Sequence, residues 1–462
     1  MNKLALSSLL FTPYLYSSSI YIPIDSTIAS EIEQMALISD MPTSKMPYSL
    51  EMVKSYNEKI KNSNHDLFNT IDKYIAQLEP NAAKERLYVE GSINSQSIDI
   101  PNSHGINSSS NYFAQGWYFW NFSNDLKAST QIELREENNE PKLVTNNTYL
   151  SYGFDWSQID LGYKDHYYGQ FRNGGMQISN NARNSVSLSI SNPKPFEFAK
   201  TNYEIFLTKL AKVDGIHSDG QVFEGNPYLL GMHLDFHPIS DFEISLDRTF
   251  QFGGGPRSSS LSDIWAAFVD PVSKDNTNNE CGTDCETGNQ QAGIQLKYNF
   301  KNFNIYAAYV GEDTVGENYS LGNVSQGFGI YIPKITNQTS MRYEFLDIGT
   351  AWYIHHLYDR GYTNYSNVMG NWFGDTMVEG DAPGGTLHYL ELINDFYGNK
   401  FISKFRFFKP NSSYTSQNYS TYKSAEFEIL KKIKTYDTKI KVLIGEDTFA
   451  NKFSQLAIGF SF

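Results

Sequence analysis

The sequence contains no long hydrophobic run after its N-terminal leader. None of the later segments approaches the ~18 consecutive apolar residues that a membrane-spanning helix needs, and the mean hydropathy of the 462-residue chain is −0.45. A helical membrane protein is therefore excluded. The same test does not exclude a transmembrane β-barrel, because the strands of such a barrel alternate apolar and polar side chains.

Positive charge and cysteine are also scarce. The 51 Asp and Glu residues outnumber the 37 Lys and Arg residues, and the resulting net charge of −14 argues against nucleic acid as a partner. The two cysteines, Cys281 and Cys285, predict a small loop disulfide in an oxidising compartment. The alternative, a pair of metal ligands, lacks the two further ligands that a zinc site would need nearby.

The N-terminus has the features of a secretory leader. Lys3 precedes an apolar run over 4–16, and the small residues Ser17 and Ser19 follow it. A positive charge, an apolar core and a small-residue cleavage site are the three parts of a signal peptide. The sequence therefore predicts a signal peptide over 1–19.

The next segment, 20–85, has the spacing of amphipathic helices. Apolar residues recur every three or four positions and predict three short helices. Asp25 or Ser26 is expected to cap the first helix, Ser49 opens the second, and Pro80 stops the third. Because short helices form little core alone, we expect them to pack on one another and on the end of the following domain.

After Arg86 the pattern changes to period 2 and continues to the C-terminus. Leu456, Ile458, Phe460 and Phe462 alternate with small or polar residues in the last stretch, which predicts a strand with one apolar face. A C-terminal aromatic strand of this kind resembles the assembly signal of bacterial outer-membrane barrels. It would pair with the first strand and leave no free edge.

The order of the connections favours a barrel over a soluble sandwich. Read backwards from the C-terminus, short and long connections alternate, and the long ones include 136–145 and 311–325. This alternation is typical of outer-membrane barrels and gives about 18 strands, an even number. The predicted fold is mainly β: a closed antiparallel transmembrane β-barrel over 86–462, with a small N-terminal periplasmic helical bundle. The abundance of Tyr (32) and Phe (31) suits the aromatic girdles of a barrel or a carbohydrate-binding surface.

The same alternation predicts which end of the barrel faces outward. Both chain termini fall on the side of the short turns, which would be periplasmic, and the long loops would be extracellular. The loops at 164–183, 253–290 and 351–384 are the longest or the richest in glycine and aromatic residues. Loops of that size are usually functional or folded inward.

Several stretches carry a resemblance to a known family. They include GYKDHYYGQ at 162–170, MQISNNAR at 176–183, LDRTFQFGGGPR at 246–257, YEF at 343–345, HHLYDRGY at 355–362, GNWFGD at 370–375 and the segment 40–47 before the second helix. Together they are similar to the Wzi family of capsule-assembly outer-membrane proteins. The resemblance implies an 18-stranded barrel with a periplasmic helical bundle. It also implies a lectin that attaches capsular polysaccharide to the cell surface.

Aromatic and arginine side chains in the long loops are the candidate contacts to such a polysaccharide. Aromatic faces stack on sugar rings, and guanidinium groups bind hydroxyls or carboxylates. The candidates are Trp265, Tyr358, Tyr362, Trp372, Arg172, Arg183, Arg257 and Arg360. The alternative for each of them is packing inside loops that plug the barrel. The glycine run at 253–255 lacks the lysine and helix of a P-loop and is interpreted as a turn.

The patterns predict neither a metal site nor a catalytic site. His233 and His237 lie on one strand face with Cα atoms ~13 Å apart, which is too far for a shared ion. His355 and His356 are expected to point to opposite faces. The acidic loop 275–286 fits a solvated loop better than a calcium site. No nucleophile motif such as G-x-S-x-G occurs, so neither an enzyme nor a cofactor is predicted.

The sequence thus leaves three functional hypotheses. The first is the outer-membrane lectin, a monomer that contacts membrane lipid, surface polysaccharide and, during biogenesis, the barrel-assembly machinery. The second is a substrate-selective channel, which differs from the first in having an open lumen. The third is a soluble, secreted glycan-binding β-protein.

Overall fold

The computed structural model describes most of the chain. The described residues are 18–78, 86–137, 139–154, 156–258, 286–315, 320–411, 417–433 and 436–462, with the single positions 260, 262 and 265. The predicted disulfide between Cys281 and Cys285 and most of the predicted signal peptide lie outside these residues. No helix in the described part is long and apolar enough to cross a membrane.

Eighteen antiparallel strands form a closed barrel. They are β1 Arg86–Asn94, β2 Tyr112–Asn121, β3 Leu126–Glu137, β4 Glu140–Phe154, β5 Ser157–Tyr163, β6 Ser187–Ser191, β7 Asn202–Lys209, β8 Tyr228–Ile239, β9 Phe242–Phe252, β10 Gly288–Asn299, β11 Asn304–Val315, β12 Ser320–Ile332, β13 Thr339–Ile348, β14 Gly385–Phe396, β15 Asn399–Pro410, β16 Tyr422–Ile433, β17 Tyr436–Glu446 and β18 Lys452–Ser461. Each strand pairs with its neighbours in the chain, and β18 pairs with β1. The predicted closed antiparallel barrel and its number of strands are confirmed.

The last strand closes the barrel as its alternation predicts. Phe460 pairs with Val89 and Leu456 with Ile93, and the backbone N–H of Phe462 donates to Leu87 at 2.9 Å. Apolar side chains of β18 point outward while its small and polar residues face the interior. The strand therefore has no free edge.

The connections define two ends of the barrel. The short-turn end carries 122–125, 155–156, 192–201, 240–241, 300–303, 333–338, 397–398 and 434–435, and the long-loop end carries the others. Two predicted long loops, 136–145 and 311–325, are wrong. β3 continues to Glu137 before β4 begins at Glu140, and β11 continues to Val315 before β12 begins at Ser320. The charged residues that suggest a loop there belong to the strands, where Arg135 pairs with Glu137.

The outer surface of the barrel is apolar, with aromatic side chains concentrated at the short-turn end. Exposed aromatic residues at that end are Trp120, Phe122, Trp156, Phe300, Phe396, Tyr397, Tyr436 and Phe462. Some of them stack on one another, such as Trp120 and Phe122, whose ring centroids lie 6.2 Å apart. This arrangement matches one of the two interfacial girdles expected from the composition.

Three helices pack together at the short-turn end. They are α1 Ala29–Ser39, α2 Leu50–Ile60 and α3 His65–Ala76, and their buried apolar faces form one cluster. Ser49 caps α2 as predicted, since its hydroxyl accepts from Met52 N–H at 3.1 Å. The predicted side-chain cap of α1 is wrong, because Ser26 instead accepts from Ala29 through its backbone carbonyl at 3.1 Å. Pro80 lies outside the described residues.

Chain segments from both ends fill the barrel interior. From the short-turn end, Lys45–Met46 enters and pairs with Tyr167–Tyr168, while the carboxylate of Glu243 on the wall accepts from the backbone N–H groups of Thr43 and Ser44. From the long-loop end, connections 164–186 and 349–384 fold inward and contribute nearly half of a second apolar cluster, which the barrel wall completes. The described residues therefore plug the lumen.

Buried ion pairs fix these segments to the wall. The Lys164 ammonium lies 2.8 Å from Asp160 and 2.7 Å from Glu204, and all three side chains are almost inaccessible to solvent. It also donates to Tyr21 Oη at 3.1 Å, which ties the N-terminal segment into the same network. Both carboxylates are desolvated and accept further hydrogen bonds, Asp160 from Tyr21 and Ser151, while the His166 ring lies 3.1 Å from Glu204. The Lys164 ammonium is the cation that contacts both of them, so its removal would leave their buried charge undercompensated.

Replacing Lys164 with methionine is expected to destabilise the protein by about 3–5 kcal/mol, because two carboxylates would remain buried with one cation fewer. The temperature at which the folded barrel converts to the unfolded band in a heat-modifiability gel measures this effect. Lys212→Met is the matched control, since the Lys212–Glu224 pair is solvent-exposed and such pairs contribute less than about 1 kcal/mol. Equal shifts for both variants would contradict the role of the buried network.

Candidate functional site

A cavity of about 190 Å³ lies at the long-loop end. Connections 95–111, 164–186, 349–384 and 447–451 and the start of β16 form its walls. Its polar and aromatic lining includes Asp99, Asn107, Asn181, Trp372, Asp375, Tyr422, Asp447 and Phe449. The cavity thus combines aromatic faces with carboxylate and amide groups, which is the chemistry that binds sugar rings and their hydroxyls.

Hydrogen bonds centred on Asp375 join the loops around the cavity. One carboxylate oxygen accepts from Val368 N–H at 2.7 Å, and the other accepts from the side-chain amides of Asn181 at 2.6 Å and Asn367 at 3.3 Å. Asn181 also accepts from the backbone N–H of Asn102 at 3.1 Å. A single network therefore positions three connections that are distant in sequence.

The aromatic side of the cavity is built on a short 3-10 helix, Trp372–Thr376. The Asn371 side chain caps it by accepting from Phe373 N–H, and its amide donates to Gly174 O at 2.7 Å. The Trp372 ring packs against Tyr422 with a centroid distance of 4.9 Å, and its indole nitrogen has no hydrogen-bond partner among the described residues. Phe449 remains 42% exposed at the rim.

The cavity is electrostatically negative. Asp99, Asp375 and Asp447 line it, and none of the described lining residues is Lys, Arg or His. Burial, together with the charge of Asp99, raises the pKa of Asp375 to about 7. Asp375 therefore changes charge near neutral pH, whereas an ordinary aspartate remains ionised.

Comparison with known proteins identifies the family. The family described as capsule assembly protein Wzi matches residues 80–391, more than half of the chain. The chain belongs to the Wzi family. An uncharacterized 55.8 kDa protein in the cps region of Klebsiella pneumoniae is 34% identical over 93 residues, which span 19% of this chain and 17% of that protein.

Solved structures agree with the fold. The structure of Wzi from Escherichia coli, described as a carbohydrate-binding β-barrel of the outer membrane involved in group 1 capsule assembly, is similar to this chain with a TM-score of 0.73. The identity is 15%, and the match covers 96% of this chain and 99% of that one. OccK3 (OpdO) of Pseudomonas aeruginosa is similar with a TM-score of 0.47 at 10% identity, over 84% and 97% of the two chains; a likeness at this level carries no argument.

Three of the eight candidate residues predicted for this Wzi-family chain lie inside the plug. The Arg172 guanidinium donates to Glu33 at 2.5 Å and to Tyr48 Oη at 2.7 Å. Tyr358 is buried and donates to Gly253 O at 3.1 Å. Tyr362 is fully buried. The polar groups of Arg172 and Tyr358 are used in hydrogen bonds within the plug. The Tyr362 ring is buried among other side chains. Packing inside the plug is the alternative weighed for each of them.

Among the other candidates, Trp372 is 2% exposed and is the one that lines the cavity. Arg183, Arg257, Arg360 and Trp265 lie nearer the surface of the long-loop end. Arg183 stacks over the Tyr365 ring at 4.6 Å. Arg360 pairs with Asp214 and Glu379. Arg257 donates to His217 O at 2.8 Å and to Glu286 O, and Trp265 is 66% exposed.

Two predictions about histidines have different outcomes. His233 bridges Asp235 and Asp247 inside the barrel wall, so the expected polar packing is confirmed. The prediction that His355 and His356 point apart is wrong. They lie in a loop rather than a strand, their rings stack with centroids 4.5 Å apart, and both contact Glu286.

Sequence reasoning missed most residues of the cavity. Asp99, Asn107, Asp375, Tyr422 and Phe449 come from three connections and the start of β16. Of these five, only Asp375 stands in one of the stretches that carry the family resemblance. The sequence does predict that these residues lie at the same end of the barrel, because their connections all belong to the predicted outer face. It does not predict which of the residues at that end line one cavity.

The raised pKa of Asp375 predicts that the stability of the loop around it depends on pH. Because this pKa, about 7, exceeds the value of about 4 of an unfolded aspartate, the folded loop binds the proton more tightly. The stabilisation that the protonated Asp375 gives to the folded loop is present at low pH. It is lost as the pH rises through about 7, where the buried carboxyl group ionises. Hydrogen exchange across residues 365–376, corrected for intrinsic rates, should therefore accelerate over that range.

The Asp99→Asn variant tests the cause of this shift. Removal of the neighbouring charge should lower the midpoint of the exchange transition by roughly one pH unit. Asp214→Asn serves as the control, because Asp214 is exposed and pairs with Arg360 away from the cavity. An unchanged midpoint in the Asp99 variant would contradict the coupling.

Proposed function

We propose that this Wzi-family protein is an outer-membrane lectin that binds a surface polysaccharide at its long-loop end and holds it on the cell. The observation that carries the proposal is the aromatic and acidic cavity above a plugged barrel. A plugged barrel does not provide an open path for solutes across the membrane. A cavity whose walls are held by several loops is suited to binding a ligand.

The apolar outer surface and the aromatic girdle support insertion in the outer membrane. In the proposed orientation the helices and both termini are periplasmic and the long loops are extracellular, which places the cavity on the side where surface polysaccharide lies. The chain is proposed to act as a monomer, with the barrel-assembly machinery as its partner during biogenesis. The E. coli Wzi structure, described as carbohydrate-binding, has the same fold and supports this proposal.

The charge of the cavity restricts the sugar that it can hold. A sugar ring can stack on the aromatic side, and its hydroxyls can donate to Asp99 and Asp447. An anionic sugar would face several carboxylates without a compensating cation. We therefore propose that a neutral or cationic sugar residue enters the cavity, and that acidic groups of the polymer lie outside it, toward Arg183, Arg257 and Arg360. Exposed Trp265 is retained as a candidate stacker at the same end.

Deletion of the gene tests the proposal. Cells without the protein should shed surface polymer that wild-type cells retain, and plasmid-borne wild-type protein should restore retention. Equal retention with and without the protein would defeat the lectin function and leave the fold unaffected.

Phe449→Ala tests the cavity itself, because this rim residue is 42% exposed and its truncation loses a peripheral ring contact with Tyr419 rather than a contact in the core. We expect affinity for polymer purified from the producing cells to fall about five-fold, the equivalent of about 1 kcal/mol for one aromatic contact. Phe198→Ala is the matched control, since Phe198 is 86% exposed at the short-turn end. Surface plasmon resonance in detergent measures both affinities. Equal affinities would exclude this cavity as the binding site.

The plug also predicts electrical behaviour. Reconstituted in a planar bilayer, the full chain should give no steady open-channel current, because the inserted segments occupy the lumen. A general diffusion porin measured under the same conditions supplies the control. A stable conductance of similar size would favour the substrate-selective channel.

A further inference from the structure

Three metal-binding side chains converge at the long-loop end, away from the cavity. Glu286 ends connection 253–287, just before β10, and His355 and His356 belong to connection 349–384. Glu286 Oε1 lies 3.0 Å from His355 Nε2, and Glu286 Oε2 lies 2.5 Å from His356 Nε2. One ligand atom from each residue lies within 4.8 Å of the other two.

The backbone around the histidines explains why both rings face one carboxylate. The chain turns at this point, where Tyr358 N–H donates to His355 O at 3.0 Å. In an extended strand the two side chains would point to opposite faces. Here the rings are nearly parallel, with an interplanar angle of 25°, and their Nε2 atoms reach the two oxygens of Glu286.

The three side chains differ in their exposure to solvent. The Glu286 and His355 side chains are 2% and 3% exposed, while the His356 side chain is 37% exposed. The buried residues supply a preformed anionic site, and the exposed side of His356 leaves a path for an ion and for water.

We propose that Glu286, His355 and His356 bind a divalent transition-metal ion of the zinc class, which clamps connection 253–287 to connection 349–384. Two imidazoles and one carboxylate form a donor set used by zinc, and a fourth position remains for water. Imidazole donors favour zinc, copper, nickel or cobalt over calcium and magnesium, which prefer oxygen ligands alone.

Two features of the site are expected to lower its affinity for the metal ion. Coordination through His355 Nε2 moves the ring proton to Nδ1, which ends a weak 3.3 Å contact from Leu357 N–H. The Arg257 guanidinium is also nearby, where it donates to the backbone oxygen of Glu286, and its positive charge opposes the approach of a cation. The two nitrogen–oxygen distances, 3.0 Å and 2.5 Å, would have to lengthen toward the separation of about 3.4 Å between tetrahedral ligands whose bonds to the ion are about 2.1 Å long.

Metal titration of the full-length, untagged protein in detergent tests the proposal. We expect about one Zn²⁺ per chain by calorimetry, and Co²⁺ should give the visible absorption of a site with nitrogen and oxygen ligands. His356→Ala should weaken Zn²⁺ binding at least roughly ten-fold. Because this residue is partly exposed, the barrel should remain folded, which the heat-modifiability gel verifies.

His217→Ala is the matched control, since His217 is also exposed at the long-loop end and pairs with Asp359. It should leave Zn²⁺ affinity unchanged. Glu286→Gln should weaken binding as His356→Ala does. Absence of saturable binding, or equal affinity in wild type and His356→Ala, would mean that the three residues form only an ion-pair cluster. Polysaccharide binding at the cavity is measured separately, so failure here does not affect the proposed lectin function.

Discussion

Pairing of the last strand with the first is the constraint on which the rest of this structure depends. In lipid no water is available to satisfy backbone N–H and C=O groups, so a sheet must close on itself. The register that joins Phe460 to Val89 achieves this closure and gives the sheet an outside and an inside. Once it is closed, the alternation of each strand determines which side chains face lipid and which must find partners in the interior.

Closure also creates the need for a plug. A ring of 18 strands is too wide for its own side chains to fill, yet its inner face carries desolvated charges such as Asp160, Glu204 and Glu243. Buried charges without partners are costly, and the inserted segments provide those partners through Lys164 and the backbone of Thr43. The same contacts that stabilise the wall therefore hold the loops in place, so the plug and the outer surface form one rigid unit.

The sequence predicted the features that depend on local pattern and missed those that depend on distant contacts. The strands and the closure of the barrel follow from period 2 and from the final aromatic strand. The separation of most short and long connections to opposite ends follows from their alternation along the chain. The error at 136–145 arose because charged residues near Glu137 were interpreted as a loop, although they pair along extended strands. The error at His355 and His356 arose from applying strand alternation to a turn. The network of Asp375 joins three loops, and no local spacing could place Asn181 beside it.

The loops around the cavity are held in place before a ligand binds, and this affects the free energy of binding. Trp372 is held by Tyr422 and by a capped 3-10 helix before any ligand arrives, so little conformational entropy remains to be lost on binding. A single shallow cavity can then contribute useful affinity, and a polymer that presents the same sugar many times gains more from repeated encounters. In the proposed lectin, the acidic lining would add selectivity because it disfavours anionic sugars at this position. A polymer with acidic residues would then have to place a neutral or cationic one here, and the order of sugars along the polymer would determine binding.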